Sequence, residues 1–190
     1  MKQLFVQTTQ NSRDLKRIMK KGILGKDNKA VGNNPPLFER PPLNFCSYVC
    51  EGYPGVYGDR KGVVFETNEP SAYVCPIDSI GLMRSGKWLP GYERFLFDDV
   101  KTMLEKYPNG EEFRKDFVKY FNTLDPTKIY LELDQQTAIN HWEGDYCQRF
   151  DADWSQTYNE VTFRKPMKIQ NCRIFRSREE LEKMIEKRRV

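Results

Sequence analysis

The stretch DWSQTYNEVTFRKPMKIQNCRIF, residues 153–175, reads as two β-strands joined at Pro166. Proline cannot donate to a sheet ladder, so it separates YNEVTFR from MKIQNCRIF. Side chains alternate between the two faces of a strand. Tyr158, Glu160, Thr162 and Arg164 therefore share one face, and Asn159, Val161 and Phe163 share the other. Val161 and Phe163 are the pair to expect in the core. Glu160 then faces a cleft or solvent, either as a solvated charge on an outer sheet face or as the carboxylate of an active site.

The flanking segments set the fold class. After this stretch, SREELEKMIEKRRV opens with an S-x-x-E capping box, Ser177 to Glu180, and reads as a helix with Leu181, Met184 and Ile185 inward. Before it, QQTAINHWEGDYCQRFDADWSQ (135–156) reads as a long irregular connection and KIYLEL (128–133) as a strand. EEFRKDFVKYFNTL (111–124) carries Phe113, Phe117, Tyr120 and Phe121 along one helical stripe, and YERFLFDDVKTMLEKY (92–107) reads as another helix. LNFCSYV, KGVVFET and SAYVCPI are strand candidates at 43–49, 61–67 and 71–77. At the start, KQLFVQTT is a short strand followed by NSRDLKRIMKKGIL, a helix with Leu15, Ile18 and Met19 on one face and Gly22 at its C-terminal stop. Strands and helices come in blocks, without strict alternation. The expectation is a single α+β domain over 1–190, with a mostly antiparallel, split β-sheet core and flanking helices.

Composition narrows the chemistry. Aromatic residues make up 13% of the 190 and recur in every segment, so the chain can bury a core without staples. Cys46, Cys50, Cys75, Cys147 and Cys172 are dispersed and odd in number, the pattern of reduced thiols. The single histidine, His141, leaves no zinc set and removes most Ser–His and Cys–His catalytic schemes. No apolar run approaches the ~20 residues of a membrane span, and MKQLFVQTTQ lacks a secretory apolar core. A soluble cytoplasmic protein without a metal is the expectation. The net charge of +4 leans towards an anionic partner, but the Lys and Arg residues are spread along the chain, so a merely basic surface stays open.

Three pieces, taken in order, resemble the ADP-ribosyltransferase superfamily, nearest to its small intracellular DNA-targeting, toxin-like branch. In LFVQTTQNSRDLKRIMKKGIL, Gln7 stands where several branches place His and Thr9 at their Thr, and IMKKGIL is similar to the helix end. LNFCSYVCEGYPGVYGDRKGVVFE is similar to the strand–loop–strand that meets the nicotinamide ribose, with Ser47 and Tyr57 as the matching positions. TYNEVTF resembles the strand that carries the catalytic glutamate, and RKPMKIQNCRIF the closing strand. The resemblance implies NAD as co-substrate, Glu160 as catalytic residue, and Gln7, Thr9, Ser47 and Tyr57 around the cofactor. It also implies a nucleic acid or protein acceptor and a possible antitoxin partner. Arg13 and Arg60 are candidates for the pyrophosphate, and Trp142 and Trp154 for the acceptor. Tyr158 stands where protein-modifying members often carry Gln or Glu, which bears on the acceptor class. Alternatives are an NAD glycohydrolase or a 2′-phosphotransferase on the same scaffold, or a non-catalytic nucleic-acid-binding protein. A phosphotransferase would want an Arg- and His-rich set that this sequence represents poorly.

Overall fold

The structure, a computed structural model, describes residues 3–8, 12–24, 43–49, 61–77, 82–84, 87–146, 159–164 and 166–189. In chain order the strands are β1 (Phe5–Thr8), β2 (Ile23–Leu24), β3 (Leu43–Tyr48), β4 (Gly62–Glu66), β5 (Ser71–Cys75), β6 (Met83–Arg84), β7 (Lys87–Trp88), β8 (Glu160–Arg164), β9 (Met167–Lys168) and β10 (Gln170–Phe175). The helices are α1 (Ser12–Lys21), α2 (Val100–Lys106), α3 (Gly110–Phe121), α4 (Pro126–Ile129), α5 (Gln135–Tyr146) and α6 (Arg178–Arg189). The architecture is α+β. Six strands form one antiparallel sheet in the order β10-β4-β1-β3-β8-β5, and β2–β9 and β6–β7 form two small ribbons. The described strands thus make one large sheet, not a core divided into two comparable sheets.

The two faces of the sheet are covered differently. Phe5, Val63, Phe65, Val74, Val161 and Phe163 lie on one face and pack against Leu15 and Ile18 of α1 and Val100 and Met103 of α2. The opposite face carries two separate clusters. At one end Val6, Val64 and Phe175 pack on Leu181 of α6. At the β5 edge, Cys75 joins a cluster built from Phe95, Tyr107 and the α3–α5 aromatics, with Tyr73 packed against it. Strands β3 and β8 lie between these clusters in the sheet order. Close approach is tightest at Gly62, where an added Cβ would strike the backbone oxygen of Gln7 and sit 2.8 Å from the Phe175 ring.

Local signals account for several elements. α1 ends at Gly22, in the left-handed conformation at φ 60°, whose N–H donates to the Ile18 carbonyl at 2.8 Å. Leu15 and Ile18 are buried as expected, but Met19 is 40% exposed, so the apolar stripe of α1 is narrower than its sequence allows. Asn109 caps α3 by accepting from the Glu112 N–H at 3.0 Å, and the Phe113–Phe117–Tyr120–Phe121 stripe is buried. At α6 the Ser177 hydroxyl accepts from Glu180 N–H at 3.2 Å, while the Glu180 carboxylate takes the N–H of Arg176, one residue before the usual partner.

Three expectations are corrected. The helix read over 92–107 is a 3-10 turn at Tyr92–Phe95, then a bridge from Phe97 to Val74, then α2. Asp99 makes the break, because its extended backbone and its carboxylate, accepting from Thr102 N–H at 2.8 Å, start a new helix there. KIYLEL is no strand. Asp125 caps the short α4 with Pro126 in its first turn, and Leu131 is 69% exposed. The connection read as irregular contains α5, opened by Asp134, whose carboxylate accepts the Thr137 N–H at 3.0 Å. Among its described side chains, those of residues 135–142, Ala138 and Trp142 alone are buried, too sparse a stripe to read as an amphipathic helix.

The aromatic cluster also holds a carboxylate. Asp116 accepts from the Tyr107 hydroxyl and pairs with Arg94 at 3.0 Å. Partial burial by itself would raise its pKa, but the Tyr107 hydroxyl and then the Arg94 guanidinium outweigh this and hold it below the usual carboxylate value. A depressed folded-state pKa contributes stability that is complete above the unfolded value and is lost as pH falls through the folded one. Asp116→Asn is therefore expected to lower the melting temperature at neutral pH, with the gap to wild type closing below about pH 4. A gap that persists unchanged into acid would contradict this account.

Burial pushes the Cys172 thiol up to about 11, and Cys46 and Cys75 are buried. Among the described residues no helix is long and apolar enough to cross a membrane.

Candidate active site

Residues opposite one another in register project to the same face of a sheet. Ser47 on β3 stands opposite both Val6 on β1 and Glu160 on β8, and Glu160 stands opposite Cys75 on β5. Val6, Ser47, Glu160 and Cys75 thus form one row across the sheet, whose polar middle falls between the two apolar clusters of that face. Glu160 is only 2% exposed, which removes the reading of it as a solvated charge. A carboxylate withdrawn this far from water needs compensating hydrogen bonds.

The hydroxyl of Tyr73, one row along on β5, donates to Glu160 Oε1 at 3.2 Å. Tyr73 is itself fixed at an irregular step of its strand. Thr162 Oγ1 accepts from the Tyr73 N–H at 3.1 Å and donates to the Tyr73 carbonyl at 3.0 Å, tying β8 to β5 where the register shifts. On the other side, the buried Asn159 Oδ1 accepts from the Tyr48 N–H at 2.6 Å. That bond clamps the start of β8 to the end of β3 and holds Ser47 beside Glu160. The carboxylate therefore rests on strand backbone fixed by neighbours on both sides, a rigid mounting for a preorganised group.

The structure brings Ser47 to Glu160 and separates Gln7 from it. Gln7 neighbours Val6 in β1, so it projects to the face packed by α1 and α2, where its Oε1 accepts a weak bond from the Cys46 thiol at 3.8 Å. Thr8 is the β1 residue that shares a face with Ser47 and Glu160, two positions along from Val6. Sequence reading passed over it because alternation within β1 does not say which of its faces matches that of β8. Thr9, Tyr57, Tyr158, Arg60 and Trp154 lie outside the described residues, as does the side chain of Arg13. Trp142 is buried in the β5-edge cluster, where it stacks on Phe121 with ring centroids 3.8 Å apart. Among the described residues no group of three or more His, Cys, Asp or Glu side chains could hold a metal ion.

No family model matches the chain, and neither does any curated protein or solved structure.

Proposed function

We propose that the chain is an NAD-dependent ADP-ribosyltransferase, with Glu160 as its catalytic carboxylate and nucleic acid favoured over protein as the acceptor. The observation that carries this reading is the buried Glu160, set in a row with Ser47 and held by the Tyr73 hydroxyl. The sequence resemblance at TYNEVTF points to the same residue. Ser47, Thr8 and Tyr73 offer hydroxyls on the side of the sheet that Glu160 faces, a donor and acceptor set that suits a ribose diol. Gln7 takes no part in this version of the site.

NAD supplies a nicotinamide–ribose bond whose cleavage leaves positive charge on the ribose. A fixed carboxylate at Glu160 would hold a ribose hydroxyl and stabilise that charge more strongly in the transition state than in the ground state. The Tyr73 hydroxyl keeps the carboxylate in one rotamer. The departing nicotinamide takes the bonding electrons, the acceptor nucleophile forms the new bond to the ribose, and its proton passes to solvent.

The test is incubation with NAD labelled on the adenylate half, offered with DNA, RNA and protein. Label transferred to DNA or RNA supports the proposal. Free ADP-ribose with no labelled acceptor indicates a glycohydrolase, and absence of NAD turnover overturns both. In the same assay Tyr73→Phe is expected to slow transfer about 10- to 100-fold, since a hydrogen bond to a charged group contributes roughly 1.5–3 kcal/mol. An unchanged rate would remove Tyr73 from the mechanism.

A further inference from the structure

The step at which β5 loses register with β8 lies beside Glu160. Two steps along β5, from Ser71 to Tyr73, match one along β8, from Phe163 to Thr162, which makes Ala72 the extra residue. In a regular strand Ser71 and Tyr73 would share a face. Here Ser71 stands opposite Phe163, on the face packed by α1 and α2, and Tyr73 stands opposite Thr162, on the face of Glu160.

Tyr73 is held at this step from both sides. On the inner side one hydroxyl serves both of its backbone groups: Thr162 Oγ1 accepts from the Tyr73 N–H at 3.1 Å and donates to the Tyr73 carbonyl at 3.0 Å. On the outer side Val74 exchanges two bonds with Phe97, at 2.7 and 2.9 Å, and the Ser71 hydroxyl donates to the Asp98 carbonyl at 2.6 Å. The phenol of Tyr73 then reaches Glu160 Oε1 at 3.2 Å. Thr162 is fully buried and its proton is spent on Tyr73, so it acts through that residue and not on a ligand.

We infer that Thr162 is a positioning residue for Glu160, its hydroxyl holding the Tyr73 backbone where the phenol can donate to the carboxylate. β8 thereby carries both the carboxylate and, two residues on, the group that aims its partner. A polar side chain fixed in this way keeps the hydrogen bond in one geometry, as preorganisation requires. The consequence for catalysis rests on the reading of Glu160 as the catalytic carboxylate, but the placement of Tyr73 can be measured without NAD.

The experiment has two arms on the full chain. In the first, a ring-fluorinated tyrosine replaces Tyr73 alone and fluorine NMR reads its resonance without NAD. Glu160→Gln is expected to shift that resonance when residue 162 is Thr, to shift it equally in Thr162→Ser, and to leave it in place in Thr162→Val. An equal Glu160→Gln shift in Thr162→Val would overturn the inference. Thr162→Ala, which leaves room for water at the Tyr73 backbone, gives the same comparison where Thr162→Val does not fold. In the second arm, label transfer from NAD is expected to slow about tenfold in Thr162→Val and to return to within about threefold of wild type in Thr162→Ser. Thr162→Val should add no further loss in the Tyr73→Phe background, since both changes remove the same contact. Losses that multiply in the double variant would overturn the inference. If wild type transfers no label while the fluorine comparison comes out as expected, the NAD reading fails and the placement of Tyr73 by Thr162 stands.

Discussion

Glu160→Gln is expected to reduce NAD-dependent label transfer by about 10²–10³-fold while the chain stays folded. The amide keeps the size of the carboxylate and can still accept from the Tyr73 hydroxyl, which now lies 3.2 Å from Glu160 Oε1. What it removes is the negative charge that would face the ribose in the transition state. Glu160 is buried in the row that runs from Val6 through Ser47 to Cys75, so its neighbours keep their packing in the variant. A glutamate that serves only to satisfy the Tyr73 hydroxyl would give a different result, with altered melting and undiminished transfer. Measuring both quantities on one preparation separates the two roles. Transfer equal to wild type in a folded Glu160→Gln protein would end the catalytic assignment.

The largest expected effect on stability is at Phe95→Ala. Phe95 is fully buried at the centre of the β5-edge cluster. Its ring meets Tyr120 at 4.9 Å, Phe117 at 5.2 Å and Phe113 at 5.6 Å, all edge-on, and lies 6.5 Å from Tyr107. Removing it leaves a cavity among Tyr107 and the aromatic side chains of α3 and should cost about 3–5 kcal/mol. For a chain of this size that lowers the melting temperature by roughly 10 °C. The same cluster includes Cys75 and supports Tyr73, so loosening it should also disturb the hydroxyl that holds Glu160. A loss below about 1 kcal/mol in a denaturant titration would show that the cluster closes over the gap or never carried the β5 edge.

Much of the local structure was legible because its causes are local. Gly22 stops α1, the Phe113–Phe121 stripe buries α3, Ser177 starts α6, and alternation put Val161 and Phe163 into the core with Glu160 on the other face. The errors have local causes too. Asp99, Asp125 and Asp134 each begin a helix by capping, and hydrophobic pattern outweighed those single-residue signals in the reading. KIYLEL met no partner strand, and among the described side chains of α5 only Ala138 and Trp142 are buried.

The site divides along the same line. Sequence alone determined that Glu160 is set apart from Val161 and Phe163, because period-two alternation is a property of one strand. It could not determine that Ser47 is the residue beside Glu160, nor that Gln7 faces away while Thr8 faces the same side. Which face of one strand matches which face of another depends on the hydrogen-bond register between them. A slip of one residue would exchange Gln7 for Thr8 without changing a letter of the sequence. The register here is fixed by contacts distant in the chain, among them Asn159 on Tyr48 and Thr162 on Tyr73. Only the folded sheet could decide those neighbours.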